Sequence, residues 1–261
     1  MHPTKSLLKR LYTITAALSS HSNERIFIAC FPKSGSTFLR NVLAEISGYK
    51  TEEICVGVKN DEQDIYFPAL IDQAFNGISS RMHMKAKDQN IEVMQQCGIR
   101  PVVLVRNIFD VVASLRDHCV HTPVFAISHM KDIYRAMPQE QQLDVIIDML
   151  VPWYIEFFAS WHRVRENNAL DIYLTSYEQV MSDKPKTIQE ICGFYAIQTS
   201  GEKIAGAIAL IEKDKKRSNF NVGRTGRGKA CLSDKQVEKI SRMAGYFKDI
   251  DFSLIGVTHK P

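Results

Sequence analysis

The feature that most narrows the fold of this chain is a set of three short apolar runs bounded by polar or turn residues: Arg25 to Phe31 (RIFIACF), Pro101 to Val105 (PVVLV) and Leu170 to Leu174 (LDIYL). The first two are too continuous to alternate between core and solvent, which is how strands covered on both faces read. Helical patterns lie between them. From Ser36 to Ile46 the spacing puts Phe38, Leu39, Val42, Leu43 and Ile46 on one face, and Gly48 follows where a helix is expected to end. Strand and helix in alternation predict an α/β fold, a central parallel sheet of about five strands flanked by helices.

The rest of the chain reads as helical. From about 140 to 166, Val145, Ile146, Leu150, Trp153, Phe157 and Trp161 repeat at helical spacing, and Pro152 is placed to kink or divide the segment. Two shorter helices follow, near 184–195 and 202–213, and a last one opens at Ser233, where Ser-Asp-Lys-Gln has the spacing of a capping box. With no internal repeat or linker, 261 residues suit one domain over 25–261. Residues 1–24 are expected to form an N-terminal amphipathic helical extension. Leu7, Leu8, Leu11, Ile14 and Leu18 share a face there, and Lys5, Lys9 and Arg10 keep the segment from spanning a membrane. A membrane-surface anchor and a homo-oligomer contact stay open as its use.

Composition excludes two classes. Hydrophobic residues at 45% and charged residues at 24% are those of a globular domain rather than a disordered chain. A net charge of only +4 argues against a dedicated nucleic-acid coat. The six cysteines form no C-x-x-C pair or Cys/His cluster, so no metal is expected and a reducing, cytoplasmic compartment is.

Three segments carry candidate chemistry. The first strand runs into the first helix through Pro32-Lys33-Ser34-Gly35-Ser36-Thr37-Phe38. A small-residue loop entering a helix offers unpaired N–H groups and a positive dipole end, suited to phosphate or sulfate, with Lys33 adding a cation. Next, Arg106-Asn107-Ile108-Phe109-Asp110, followed by Ser114, places an arginine at the carboxyl end of a strand, where ligands of open α/β sheets gather. Third comes the glycine-basic stretch Gly223-Arg224-Thr225-Gly226-Arg227-Gly228-Lys229. It imitates a nucleotide-triphosphate P-loop, but no apolar strand precedes it, and Ala230 stands where a metal-binding hydroxyl is needed.

Together these segments resemble the sulfotransferases that use 3′-phosphoadenosine 5′-phosphosulfate (PAPS). Pro32 to Phe38 match that family's P-K-[ST]-G-[ST]-[ST]-[WF], and Arg106, Asn107, Asp110 and Ser114 match its R-N-x-x-D-x-x-x-S. Trp153-Tyr154, Trp161 and Thr175-Ser176-Tyr177-Glu178 extend the likeness. The resemblance implies a P-loop kinase-like fold and a set of roles. Lys33 and the loop N–H groups would hold the 5′-phosphosulfate, with Ser34, Gly35, Ser36 and Thr37 around it. Phe38 takes the place of an aromatic that stacks on adenine, Arg106 and Ser114 bind the 3′-phosphate, and Tyr177 lies near adenine. In the terminal motif R-K-G-x-x-G-x-x-K, Gly223, Gly226 and Lys229 match, while Asn221 and Val222 replace two basic residues. Arg224 and Arg227, flanking Thr225, are candidates to compensate.

The same resemblance implies in-line transfer of a sulfuryl group from PAPS to an acceptor hydroxyl or amine, releasing PAP. Many relatives carry K-T-H on a strand. Lys85-Ala86-Lys87 corresponds to it here, and strand alternation would put His83, Lys85 and Lys87 on one face. Other branches use a glutamate about twenty residues past the loop lysine, the interval of Glu52 and Glu53. The candidates for the base are therefore Glu53, His83, Glu52 and Lys87, with Lys85 aiding the leaving group. The acceptor, a small molecule, lipid or carbohydrate, is expected to enter past His118 to Met137. A kinase-like phosphotransferase and a non-catalytic nucleotide-binding relative are the competing readings. A nucleic-acid partner is not expected, because such a grip would not require Arg106 and Ser114 at their spacing.

Overall fold

β1 (Arg25–Cys30) is buried along its entire length. Its side chains still alternate between two apolar clusters. Ile26, Ile28 and Cys30 pack on one face with Phe38, Leu39, Val42, Leu43 and Ile46 of helix α1 (Ser36–Ser47), while Phe27, Ala29 and Phe31 pack on the other. A run apolar at every position is what a strand covered on both faces requires. The computed structural model describes residues 25–56, 62–74, 76–122, 124–214, 217 and 225–258. The predicted extension over residues 1–24 lies outside them, as do Gly223 and Arg224.

After α1, which ends at a left-handed Gly48, come the short strands β2 (Lys50–Thr51), β3 (Cys55–Val56) and β4 (Asp64–Ile65), helix α2 (Phe67–Asp72) and β5 (Ile78–Met82). Helix α3 (Asp88–Gln96), β6 (Pro101–Val105), α4 (Ile108–His121), α5 (Phe125–Ser128) and α6 (Lys131–Ala136) follow. Then α7 (Gln139–Met149), α8 (Val151–Glu166), β7 (Tyr173–Ser176), α9 (Tyr177–Ser182), α10 (Lys184–Phe194) and α11 (Gly201–Lys213) complete the sheet and its cover. The described chain closes with α12 (Gly228–Cys231), α13 (Asp234–Ala244) and a 3-10 turn at Ser253–Ile255.

The main sheet has the order β2-β5-β1-β6-β7, and every pair in it is parallel. β3 and β4 pair antiparallel as a separate ribbon. The expected single α/β domain with five parallel strands is therefore present. The third apolar run, read over Leu170 to Leu174, forms its strand at Tyr173–Ser176, starting three residues later and ending two later, and the helical region 140–166 divides at Leu150, with Pro152 in the first turn of α8. That is where a proline without an N–H fits a helix. Ser233 closes a full capping box with Gln236.

α1, α10 and α11 cover one face, and α4, α7 and α8 cover the other. One polar tie crosses the core. The Tyr195 hydroxyl accepts the Phe27 N–H at 3.1 Å and shares its proton between the carbonyls of Phe27 and Arg100, each 3.0 Å away. These bonds meet the strands at their entry edge, opposite the loop that leaves β1. Tyr195→Phe is expected to lower stability by about 1–3 kcal/mol, the cost of a buried unpaired backbone group, measured by urea unfolding, while leaving nucleotide affinity unchanged.

Candidate active site

The turn from β1 to α1 is held from below. Phe31 sets its ring edge-on to Tyr154 and Phe157 of α8, at centroid distances of 4.8 and 5.0 Å. Above that support the backbone takes two left-handed steps, Lys33 at φ 68 and Gly35 at φ 80. For a lysine this is an uncommon conformation that its surroundings must hold in place. No side chain caps α1 at Gly35, so the first-turn N–H groups are left for an anion. Ser34 shapes the loop from within, its Oγ donating to the Phe31 carbonyl at 2.7 Å, and Ser36 is buried at the start of α1. Thr37 is half-buried, and Phe38 is 2% exposed, packed in the core beneath α1. Burial lowers the Lys33 pKa; Cys119 and Asp117 oppose the shift and Arg106 adds to it.

Arg106, 7% exposed, leaves the end of β6 and donates from Nη1 to the Lys33 carbonyl at 2.9 Å. Its guanidinium lies over the Tyr177 ring, 4.3 Å from the centroid. The same ring sits so close to Gly35 that a Cβ there would come within 2.9 Å of it. The loop after β1, Arg106 of the second motif and Tyr177 of the Thr175–Glu178 stretch are thus linked by direct contacts. Asn107 caps α4 by accepting the N–H groups of Phe109 and Asp110, and Ser114 lies buried one turn beyond Asp110. Asp110 itself accepts the backbone N–H groups of Gly226 and Gly228, at 2.7 and 2.6 Å. Arg227 pairs with Asp117 at 2.6 Å, and Thr225 is exposed.

At the edge of β5 the structure separates residues that alternation had grouped. The strand ends at Met82, so His83, Lys85 and Lys87 do not share a strand face. Gln63 and Glu62 instead take the backbone N–H groups of His83 and Lys85. The Lys85 ammonium lies 2.8 Å from Glu156, and Lys87 bonds both Asp64 oxygens. For Lys87, burial pulls the pKa down, but the Asp64 bonds and the charge of Glu62 outweigh this and the net shift is upward. Glu53 is exposed and within electrostatic reach of Arg40. Glu52 donates its N–H to the Ser79 carbonyl.

His83 is 5% exposed. Its Nδ1 lies 3.1 Å from the Cys30 carbonyl, which can only accept, and its Nε2 lies 3.5 Å from Arg81 Nη1, which can only donate. The partners therefore assign the proton to Nδ1 and the lone pair to Nε2. Burial, then the Arg81 charge, lower its pKa to about 4. Arg40 lies within electrostatic reach of Arg81, and each keeps a buried Nε with no hydrogen-bond partner among the described residues. Sequence reasoning missed both arginines. The signal for Arg81 was its position two residues before His83, at the end of the strand that alternation carried too far. His118, in the last turn of α4, has its pKa lowered by burial first and then by the charges of Lys33 and His121.

Fold and site together define an α/β protein that gathers cations from distant segments at the carboxyl edge of its sheet, around an uncapped helix. The sulfotransferase domain profile matches residues 23–242, and the chain belongs to that family: it is a sulfotransferase. A comparison with curated protein sequences returns no match. Among solved structures it is similar to mouse sulfotransferase SULT7A1 complexed with PAP, at 16% identity and a TM-score of 0.64 over 91% of this chain and 90% of that one. It is also similar to retinol dehydratase in complex with androsterone and inactive cofactor PAP, at 13% identity and a TM-score of 0.59 over 92% and 86%. A second retinol dehydratase structure, with retinol and PAP, matches at 12% identity and 0.58 over the same shares. At these identities the likeness is one of fold.

Buried neutral in the native state, His83 has a depressed folded pKa, so its contribution is present above the unfolded value near 6.5 and is lost as pH falls toward about 4. Native stability is expected to drop by up to about 3 kcal/mol across that window from this group. His83→Gln should flatten the acid side of the curve of melting temperature against pH.

Proposed function

We propose that this chain transfers the sulfuryl group of PAPS to a hydroxyl or amine of a small-molecule, lipid or carbohydrate acceptor. One observation carries the reading. Arg106, Lys33 and Tyr177, each expected at the nucleotide, converge through a 2.9 Å hydrogen bond and a 4.3 Å cation–ring contact around an uncapped helix N-terminus. The residues present fit a nucleotide with phosphates at both ends. Lys33 and the α1 N–H groups suit the 5′-phosphosulfate, Arg106 and Ser114 the 3′-phosphate, and Tyr177 the base. Bound there, PAPS supplies a sulfuryl group already activated by its anhydride link to phosphate.

The protein's own contribution is positional and electrostatic. Lys33 and the helix N-terminus face the oxygens on which charge grows, in a site already organised before reaction. Arg81, on β5 itself, takes the cationic role that the motif comparison put at Lys85, since the Lys85 ammonium is engaged by Glu156. Of the candidate bases we assign the acceptor proton to His83. The Cys30 carbonyl fixes its tautomer and leaves the Nε2 lone pair beside Arg81, and an anion neutralising Arg81 would raise its basicity. Lys87, held charged by Asp64, has no lone pair to offer. Glu53 serves as countercharge to Arg40. The acceptor approaches past His118 and α5–α6, and six unpaired thiols support a cytoplasmic location.

Release of PAP from PAPS, followed with a panel of hydroxyl and amine acceptors, tests the reading. Lys33→Ala is expected to lose at least about a hundredfold in kcat, the cost of one preorganised donor. His83→Ala should lose about 10²–10⁴-fold, as for a general base, and Glu53→Gln less than about tenfold. A Glu53→Gln variant more damaged than His83→Ala would move the base to the carboxylate.

A further inference from the structure

His83 stands just beyond the last residue of β5, where the sheet beside it runs short. On that outer edge β2 pairs only with Ile78 and Ser79, and Glu52 adds one more bond by donating its N–H to the Ser79 carbonyl. β2 offers nothing to His83, four residues further on. A strand end without a neighbour leaves backbone donors and acceptors to be satisfied in another way.

Gln63 satisfies them with a pair of bonds. Its side-chain Oε1 accepts the His83 N–H at 2.7 Å, and its own N–H donates to the His83 carbonyl at 2.9 Å. Gln63 is 6% exposed, so its amide oxygen stands where a neighbouring strand would have put a carbonyl. Glu62 repeats the device two residues on: Oε1 accepts the Lys85 N–H at 3.0 Å, while Oε2 takes the indole N–H of Trp153 and ties the segment to α8. From α3, Asn90 accepts the Ile65 N–H and donates to Asp64. Residues 62–65 are therefore fixed to two helices and form a rigid support for the end of β5.

The imidazole is held from the other side, by Nδ1 at the Cys30 carbonyl. One bond to the ring leaves the chain free to slide and the ring free to swing about that contact. A second anchor on the backbone removes both freedoms and fixes Nε2 relative to β1. The charged and titratable groups around the ring are Arg81 of β5, 3.5 Å from Nε2, and the Cys30 thiol of β1, 3.6 Å from Nδ1, with Arg40 of α1 in electrostatic reach of both. A neutral exchange at Gln63 alters none of these charges.

We propose that Gln63 is a positioning residue for the acceptor-proton step: by completing the sheet edge at His83 it holds the Nε2 lone pair in register with the loop that follows β1. Gln63 acts through the His83 backbone. The inference rests on the assignment of the acceptor proton to His83 made above, and adds what keeps that residue in place.

Gln63→Met keeps the side-chain length and removes the acceptor. With the acceptor of the panel above that is turned over fastest, its kcat for PAP release is expected to fall roughly 10- to 100-fold, the scale of a lost buried bond and a base displaced by about 1 Å, while the KM for PAPS holds. Gln63→Glu retains an acceptor oxygen and should recover kcat to within about tenfold of wild type, which keeps the test alive if Gln63→Met does not fold. Placed on His83→Ala, Gln63→Met should cost nothing further. In nucleotide-free protein, an NMR titration assigned with His83→Gln should find the ring titrating at about 4 in wild type and moving up toward the ordinary histidine value in Gln63→Met, as the released ring meets water. Wild-type kcat in folded Gln63→Met, a His83 titration that does not move, or a further loss on top of His83→Ala overturns the proposal alone. A His83→Ala variant with near wild-type kcat overturns the base assignment beneath it.

Discussion

The contact on which the nucleotide side of the cleft depends is the one between Arg106 and the Lys33 carbonyl. A lysine at positive φ is not held there by its own preferences. The carbonyl it turns toward β6 has to meet a donor, and the guanidinium at the end of β6 is that donor. Because Arg106 is also sandwiched against Tyr177, and Tyr177 against Gly35, one buried cation sets the relative positions of three segments. Phe31 and the aromatic row of α8 fix the height of the loop from below. The anion site is a consequence of backbone geometry secured by side chains, more than a collection of hydroxyls, since Ser34 spends its own on the Phe31 carbonyl.

Charge is distributed unequally around this point, and the inequality separates roles. Lys85 and Lys87 are both cationic, yet Glu62, Asp64 and Glu156 surround them, and the result is a surface network with little field left over. Such networks contribute modestly to stability. Arg40 and Arg81 are less well matched, with Glu53 in range but no carboxylate within ion-pair distance among the described residues. Cations kept partly desolvated beside an uncapped helix end retain their field for an arriving anion. His83 answers to the same environment, neutral because burial and Arg81 together disfavour its charge.

Much of the fold is legible in the sequence because its signals are local or periodic. Continuous apolar runs mark β1 and β6, Gly48 and Ser233 mark helix ends, and Pro152 marks a division. β2 and β5 carry no such mark. β2 is two residues long, and β5 reads Ile-Ser-Ser-Arg-Met, whose serines meet Arg40 and the sheet interior rather than solvent. With β5 hidden, alternation alone carries the strand several residues too far. That error groups His83 with Lys85 and Lys87 and leaves Arg81 unnoticed.

The sequence by itself determined which elements form and which residue types are available to an anion, because hydrophobic period, capping and short motifs act over a few residues. Tertiary structure alone decided which charges remain available. Lys85 is neutralised by Glu156 from α8, seventy-one positions away, whereas Arg81 is not; and Asp110 faces Gly226 and Gly228 across more than a hundred residues. Pairing and burial depend on what the packed sheet brings within a few ångströms, and a Coulomb interaction or a hydrogen bond is indifferent to distance along the chain.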